Sequence, residues 1–403
     1  MNGDAPDAQR ADVAEPDGEE RDEPALVAAI RAAADAAGGR LTFARFMDLA
    51  LYHPTHGYYQ SQAARPGRGG DFLTSPELSP FFGWCLMRQI RQIWEGAGRP
   101  DPFTVLEYGA GGGRLAHDIL LAARSESPQL ADCLHYRLHE SNPHRRSDAR
   151  ALLDGAGFAG RVAFEEPSQT AREAPPFVGV VLTNEFVDAL PVHRVVGGEG
   201  GAILERYVRW EAANERFVDE LDRPSTPQLV GSLAAGGVAL AVGQEAEINL
   251  AAGAWLATVA ARLTRGVVLT IDYGYPTTEL YAPRRRAGTF LCYHRHTAND
   301  EPYARIGRQD MTAHVDFGAL TREGGRQGLA TLGLTTQGPF LSNVGLGDLL
   351  VTAQTPGRAL DAYLADRSAV LALIEPGGMG RFGVLAQGKG YIPAPLHGFG
   401  PLT

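Results

Sequence analysis

Apolar residues recur every three to four positions in "ALVAAIRAAADAAGG", "LTFARFMDLALY" and "SPFFGWCLMRQIRQIWEGAG". The first hundred residues therefore predict helices, with Thr42 as an N-cap of the second and Gly96 and Gly98 closing the third. From residue 103 the rhythm changes: "FTVLEYG", "LHYRLHES", "RVAFEE", "VGVVLTNEF" and later "GVVLTIDYG" are short apolar runs set between helical patterns. Strands alternating with helices predict βαβ units and a mostly parallel sheet. The string GVVLT occurs at 179–183 and again at 266–270, a likeness that two buried parallel strands share without any repeat. Between them "VHRVVGGEGGAILERYVRW" and "RFVDEL" alternate apolar and polar residues around glycine turns, which predicts an antiparallel insertion. "WLATVAARLTRG" returns to a helix. After "IDYGYP" an irregular, charged loop is expected to about Ala313, then a helix near "VDFGALTREGGRQGL", a strand at "TLGLTTQGPF", two more helices and a last strand near "GRFGVLAQGKG". The fold class is α/β and Rossmann-like, with a helical N-terminal extension. The expected division is a tail (1–23), a helical segment (24–100), a nucleotide-binding core (101–196), the antiparallel insertion (197–243) and the rest of the core (244–403).

Composition narrows the function classes. The 403 residues are 44% hydrophobic and 21% charged, ordinary for a globular chain. A net charge of −10 argues against general nucleic-acid binding, which needs clustered Lys and Arg. The first two dozen residues are rich in Asp, Glu, Pro and Gly and carry almost no large apolar side chains, so they predict a disordered tail. That tail is too acidic for a mitochondrial transit peptide and lacks the apolar centre of a secretory signal. No run approaches about 18 apolar residues, so no membrane insertion is expected. Cys85, Cys133 and Cys292 are odd in number and far apart, which fits buried thiols in a reducing compartment. A bacterial cytoplasm is the expected location.

The stretch "FTVLEYGAGGGRLAHDIL" (103–120) sets four glycines between a strand and a helix. Gly109, Gly111 and Gly113 remove β-carbons that would block backbone approach, and the helix N-terminus offers unpaired N–H groups. Dinucleotide binding wants G-x-G-x-x-G/A, but the third position is Arg114, which disfavours NAD. The pattern Glu107-x-Gly109-x-Gly111-x-Gly113, with Ala110 between, instead resembles the first motif of class I S-adenosylmethionine (SAM) methyltransferases. Glu140, followed by Ser141 at the end of the second strand, stands where a carboxylate accepts hydrogen bonds from ribose hydroxyls. Glu165, after the third strand, is a candidate adenine contact.

"LYHPTHGYY" (51–59), "GDFLTSPELSPFFG" (70–83), "NEFVDALPVHR" (184–194) and "DMTAHVDF" (310–317), with "EYGAGGGRLA" and "IDYGYP", resemble the MidA family, whose mitochondrial members are arginine methyltransferases that assist assembly of respiratory complex I. The resemblance runs from about residue 24 to the C-terminus. It implies a class I methyltransferase fold, SAM as methyl donor and, as acceptor, an arginine of a complex I subunit. The expected partner is thus a protein substrate, and a homodimer is compatible with it.

The same strings make chemical sense alone. Asn184 and Glu185 follow the fourth buried strand and emerge at the carboxyl edge of the sheet, with Asp188 just beyond, so two acids can face a cation. A guanidinium does not simply lose its proton first. A carboxylate that grips it can orient the attacking nitrogen and receive the proton late. "GRGGDFLTSPE" predicts a lid over the cofactor, with Gly70, Asp71, Phe72, Thr74, Ser75 or Glu77 in contact. Asp272 and His314 are candidates to line the acceptor pocket. "GVLAQGKG" lacks the final hydroxyl and following helix of a phosphate loop. His294, His296 and His314 lack zinc spacing, and no metal is expected. Arg284, Arg285 and Arg286 read as solvated surface or an anchor for an acidic partner. A small-molecule O- or N-methyltransferase and an assembly scaffold with little or no catalysis remain as alternatives. The first predicts a smaller, more apolar pocket, and the second has no physical need for the glycine loop.

Overall fold

The apolar runs after residue 103 become the strands of one sheet in the computed structural model, which describes residues 21–61, 74–165, 175–352, 359–390 and 395–400. We number the seven strands of this sheet β1 (Phe103–Tyr108), β2 (Leu134–His139), β3 (Val162–Glu165), β4 (Phe177–Asn184), β5 (Leu263–Asp272), β6 (Ala330–Thr336) and β7 (Gly383–Lys389). Their spatial order is β6-β7-β5-β4-β1-β2-β3. The contacts among β1 to β5 are parallel, and β7 runs antiparallel between β5 and β6. This is the class I methyltransferase arrangement. The two GVVLT strings lie side by side on β4 and β5, Val180 opposite Val267 and Thr183 opposite Thr270. They are alike because both sit in the middle of a sheet covered on two faces.

Helices Pro80–Gly96 and Arg114–Glu126 pack on one face with Phe103, Val105, Leu138 and Leu182. Helices Leu250–Arg262 and Phe317–Arg326 cover the other with Leu106, Val181 and Val268. Burying each Leu, Ile or Phe contributes about 1.5–3 kcal/mol, so this three-layer core fixes the sheet whose carboxyl edge carries the site. The reversal of connection between β1 and β4 opens a crevice at that edge.

The N-terminal segment and the insertion share a core. Helices Pro24–Ala36 and Phe43–Tyr52 bury Leu26, Ile30, Phe43 and Phe46 with Val208 and Phe217 of the insertion. Thr42 accepts from Arg45 N as the N-cap of the second helix. Arg40–Thr42 adds a strand to the sheet formed by Ile203–Glu211, His193–Gly197, Glu245–Ile248 and Arg216–Asp222. Three residues are too few to show a strand period. The expected irregular loop before Ala313 is a three-stranded sheet, Leu291–His294 pairing with Thr297–Asn299 and Asp310–Thr312. Its strands, of three or four residues, are too short to show a period, and it presents Asp310 to the site. No helix among the described residues is long and apolar enough to cross a membrane. Cys85, Cys133 and Cys292 are buried free thiols.

Candidate active site

Two cavities meet at the carboxyl edge of β1, β4 and β5. The first, about 410 Å³, is lined by Glu107, Gly109, Ala110, Gly111, Gly112, Glu140, Ser141, Asn184 and Glu185, with Thr74, Pro76 and Glu77 on its other side. The second, about 530 Å³, is lined by Asp188, Tyr273, Tyr293, Asp310, Thr312, His314, Met379 and Arg381. Tyr59 and Glu185 belong to both.

The first cavity is built of backbone. Gly111 stands at φ +52 with open space where a β-carbon would project, and its N–H donates to Glu140 Oε2 at 2.8 Å. The other oxygen of Glu140 accepts from Asn142 N at 2.8 Å. Burial pushes the Glu140 carboxyl up, and these two N–H groups oppose the shift. Glu107 accepts from Tyr136 Oη at 2.6 Å. Burial, aided by the nearby Glu140, raises it to about 8 against the pull of Tyr136. The cavity is large enough for a nucleoside with an amino-acid tail, since small-molecule sites run from about 300 Å³ upward. A glycine cradle with two carboxyls is a donor and acceptor set that fits SAM: acids for hydroxyls and an ammonium, and bare backbone where the chain must lie close.

Three expectations change with the geometry. Gly113 is absent from the cavity lining; it sits at φ +76 heading the helix Arg114–Glu126, and a β-carbon there would come within 2.8 Å of Ala149 Cβ. Its glycine serves helix packing, not cofactor approach. Glu165 faces away, bound to the buried Arg262 at 2.8 Å. Burying that guanidinium requires a carboxylate, so Glu165 is an ion-pair partner outside the cavity. Ser75 is fully buried, with its hydroxyl on Gln337 Oε1 at 3.2 Å and its N–H toward Glu185 Oε1 at 3.4 Å. It anchors the helix Ser75–Leu78 and does not line the cofactor cavity. Gly70, Asp71 and Phe72 of the expected lid lie outside the described residues, as does nearly all of the tail.

Carboxyls and phenols make the second cavity. Glu185 lies at φ +50, a conformation that few non-glycine residues adopt and that collects at functional sites. What holds it is the turn that follows: Asp272 Oδ2 accepts from the N–H groups of Phe186 (3.2 Å), Val187 (2.9 Å) and Asp188 (3.3 Å). Asp272 is therefore a fully buried bracket rather than a lining residue. Asn184 Nδ2 donates to Glu185 Oε1 at 3.0 Å. Burial, and then the charge of Asp188, raises Glu185 to about 8. Burial likewise holds the coupled Asp188 and Asp272 carboxyls above their usual range. Asp188 accepts from Tyr273 Oη, while its Oδ1 is buried without a hydrogen-bond partner among the described residues. Tyr59 Oη donates to Asp310 Oδ1 at 2.7 Å across 251 residues of sequence. His314 lines this cavity, but burial and then Arg285 and Arg381 lower it to about 4, so it is neutral at ordinary pH. Asp310, Tyr59 and Tyr273 are the residues that sequence reasoning did not single out. They sat inside the quoted strings "DMTAHVDF", "LYHPTHGYY" and "IDYGYP", which was the available signal. Among the described residues no group of three or more His, Cys, Asp or Glu is placed to hold a metal ion.

Comparison with known proteins identifies the family. Residues 85–335 match the family described as "Putative S-adenosyl-L-methionine-dependent methyltransferase". The chain is 30% identical over 389 residues to the Drosophila melanogaster protein arginine methyltransferase NDUFAF7 homolog, mitochondrial, covering 89% of this chain and 84% of the relative. It is 28% identical to the Danio rerio protein arginine methyltransferase NDUFAF7, mitochondrial, over 77% of this chain and 74% of that one. A Burkholderia thailandensis protein solved with S-adenosyl-homocysteine bound superposes with a TM-score of 0.84 at 35% identity, covering 93% of this chain and 94% of that chain. With its central sheet, its glycine loop and these matches in agreement, the chain belongs to this family and is a SAM-dependent methyltransferase.

Proposed function

We propose that the chain is a protein arginine N-methyltransferase in which SAM lies on the Gly109–Gly112 loop, with Glu140 on the ribose and Glu107 toward the amino-acid end, and the acceptor arginine enters the second cavity. The observation that carries this reading is the convergence of Glu185, Asp188 and Asp310 on one cavity beside the cofactor cavity. Like charges confined together destabilise one another, and a cation among them relieves that repulsion. A small neutral acceptor has no use for three acids. The names of the relatives point the same way. A subunit of respiratory complex I as the acceptor rests on the family resemblance alone.

Bound SAM supplies an electrophilic methyl group on a sulfonium. The protein's own task is alignment and charge. Glu185, shared by both cavities, grips the guanidinium at the boundary and turns one nitrogen toward the cofactor. Asp188 takes a second N–H on Oδ1 while Tyr273 steadies its other oxygen. As the new N–C bond forms and the S–CH3 bond breaks to leave S-adenosylhomocysteine, the nitrogen gives up one proton to a carboxylate, and Glu185, raised to about 8, is matched to hold it. Incubation with isotope-labelled SAM and a complex I subunit preparation, followed by peptide mass spectrometry, tests this. Label on arginine side chains, lost with Glu185→Gln, is the expected result. Label only on other residues or on small molecules overturns it.

A further inference from the structure

The interior of the acceptor cavity is acidic, but its rim is basic. Arg285 and Arg381, from distant parts of the chain, converge on Tyr275: their guanidinium carbons stand 4.1 Å and 5.7 Å from its ring centroid. Arg381 also donates to Tyr275 Oη and lines the cavity. The Tyr275 ring packs against His314, another lining residue, at 5.6 Å. Neither guanidinium makes an ion pair among the described residues, whereas the adjacent Arg284 is paired with Glu279 at 3.7 Å.

Two cations held on one ring repel each other, and cation–π attraction of about 0.5–1 kcal/mol at an exposed site offsets this only in part. A carboxylate between them resolves the conflict, since each guanidinium presents a planar fork of donors suited to it. His314, kept neutral by burial and by these same arginines, leaves the positive charge of this rim to the arginines. Extended polypeptide advances about 3.3 Å per residue, so a segment with its arginine among Glu185, Asp188 and Asp310 carries its next few residues past the rim.

We infer that Arg285 and Arg381, arranged on Tyr275, form a recognition site for an acidic side chain of the acceptor polypeptide, lying within a few residues of the arginine that enters the cavity. This rests on the arginine methyltransferase reading and adds the charge pattern of the substrate to it.

The test measures binding of fluorescent arginine peptides to the full chain saturated with S-adenosylhomocysteine. A set with Glu placed at each of the positions flanking the arginine is compared with the same set carrying Gln, for wild type, R285Q, R381Q and E185Q. At least one Glu peptide should bind wild type about tenfold tighter than its Gln counterpart, a difference that shrinks with salt. R285Q or R381Q should erase the difference, and E185Q should weaken both peptides. Calorimetry with S-adenosylhomocysteine checks that each variant is folded. If wild type binds Glu and Gln peptides alike and E185Q weakens both, the rim inference falls while the arginine reading stands. If no arginine peptide binds wild type, the arginine reading fails and takes the rim with it.

Discussion

The cofactor cavity and the acceptor cavity adjoin, share Tyr59 and Glu185, and are made of different material. The first uses glycines, backbone N–H groups and carboxyls already engaged: Glu140 by two N–H donors, Glu107 by a phenol. It is a shape with its polar groups satisfied, ready for a ligand whose chemistry does not change from substrate to substrate. Burial raises acids in both cavities, but the second gathers three acids, with Glu185 raised further by the charges of Asp188 and Asp310. Preformed shape suits a constant cofactor, and stored repulsion suits a cation that must be gripped and then released. The difference predicts that substitutions in the two cavities fail in different ways.

The largest separation is expected at their boundary. Glu185→Gln keeps the volume and the hydrogen bond from Asn184 but removes the charge. Single-turnover methyl transfer should fall by about 100-fold to 1000-fold, while affinity for S-adenosylhomocysteine by calorimetry changes by less than about threefold. Equal losses in both would erase the distinction between the cavities. Gly111→Val should do the reverse. A branched side chain at φ +52 is strained and projects into the cofactor space, so S-adenosylhomocysteine affinity should drop by about 100-fold or more with the fold intact by circular dichroism.

Both failures could be anticipated because strand ends and glycine loops are local features. The central strands were legible as apolar runs, and Glu185, Asp188, Glu107 and Glu140 were legible as acids just inside or beyond them. The rest was not local. Tyr59 and Asp310 meet across 251 residues, brought together by a small sheet whose strands are too short to leave a periodic signal. Asp272 looked like a pocket acid because it ends β5, but three N–H groups of the turn after β4 claim one of its oxygens. Glu165 ends a strand just as Glu140 does; only the buried Arg262 beside it decides that it serves packing. Gly113 fits the loop pattern, yet its demand comes from Ala149 on another helix.

pH sharpens the comparison further. A cation binds the ionised acids, and Glu185 is raised to about 8 in the free protein, so binding below that pH must displace a proton. Affinity for an arginine peptide should rise by about 50-fold from pH 6 to pH 8 and level off above it. A flat profile would mean that the acids are ionised before the acceptor arrives.

The smallest effect belongs to stability. Glu107, raised by burial to about 8 in the folded chain, contributes stability that is fully present below the unfolded carboxyl value and is lost as pH rises through about 8. Glu107→Gln retains an acceptor for Tyr136 and should raise the melting temperature by about 1–3 °C at pH 9, with little change at pH 5. A drop at pH 9 would show that the ionised form is favoured in the fold.

The most direct test of the stored repulsion counts protons. Calorimetric titration of an arginine peptide into the S-adenosylhomocysteine-saturated protein at pH 7.5, in buffers of different ionisation enthalpy, gives the number of protons released on binding. Release of a substantial fraction of one proton, up to about one, that disappears in Glu185→Gln is the predicted result. Binding with no proton release by the wild type would contradict the claim that Glu185 is held protonated until a cation enters.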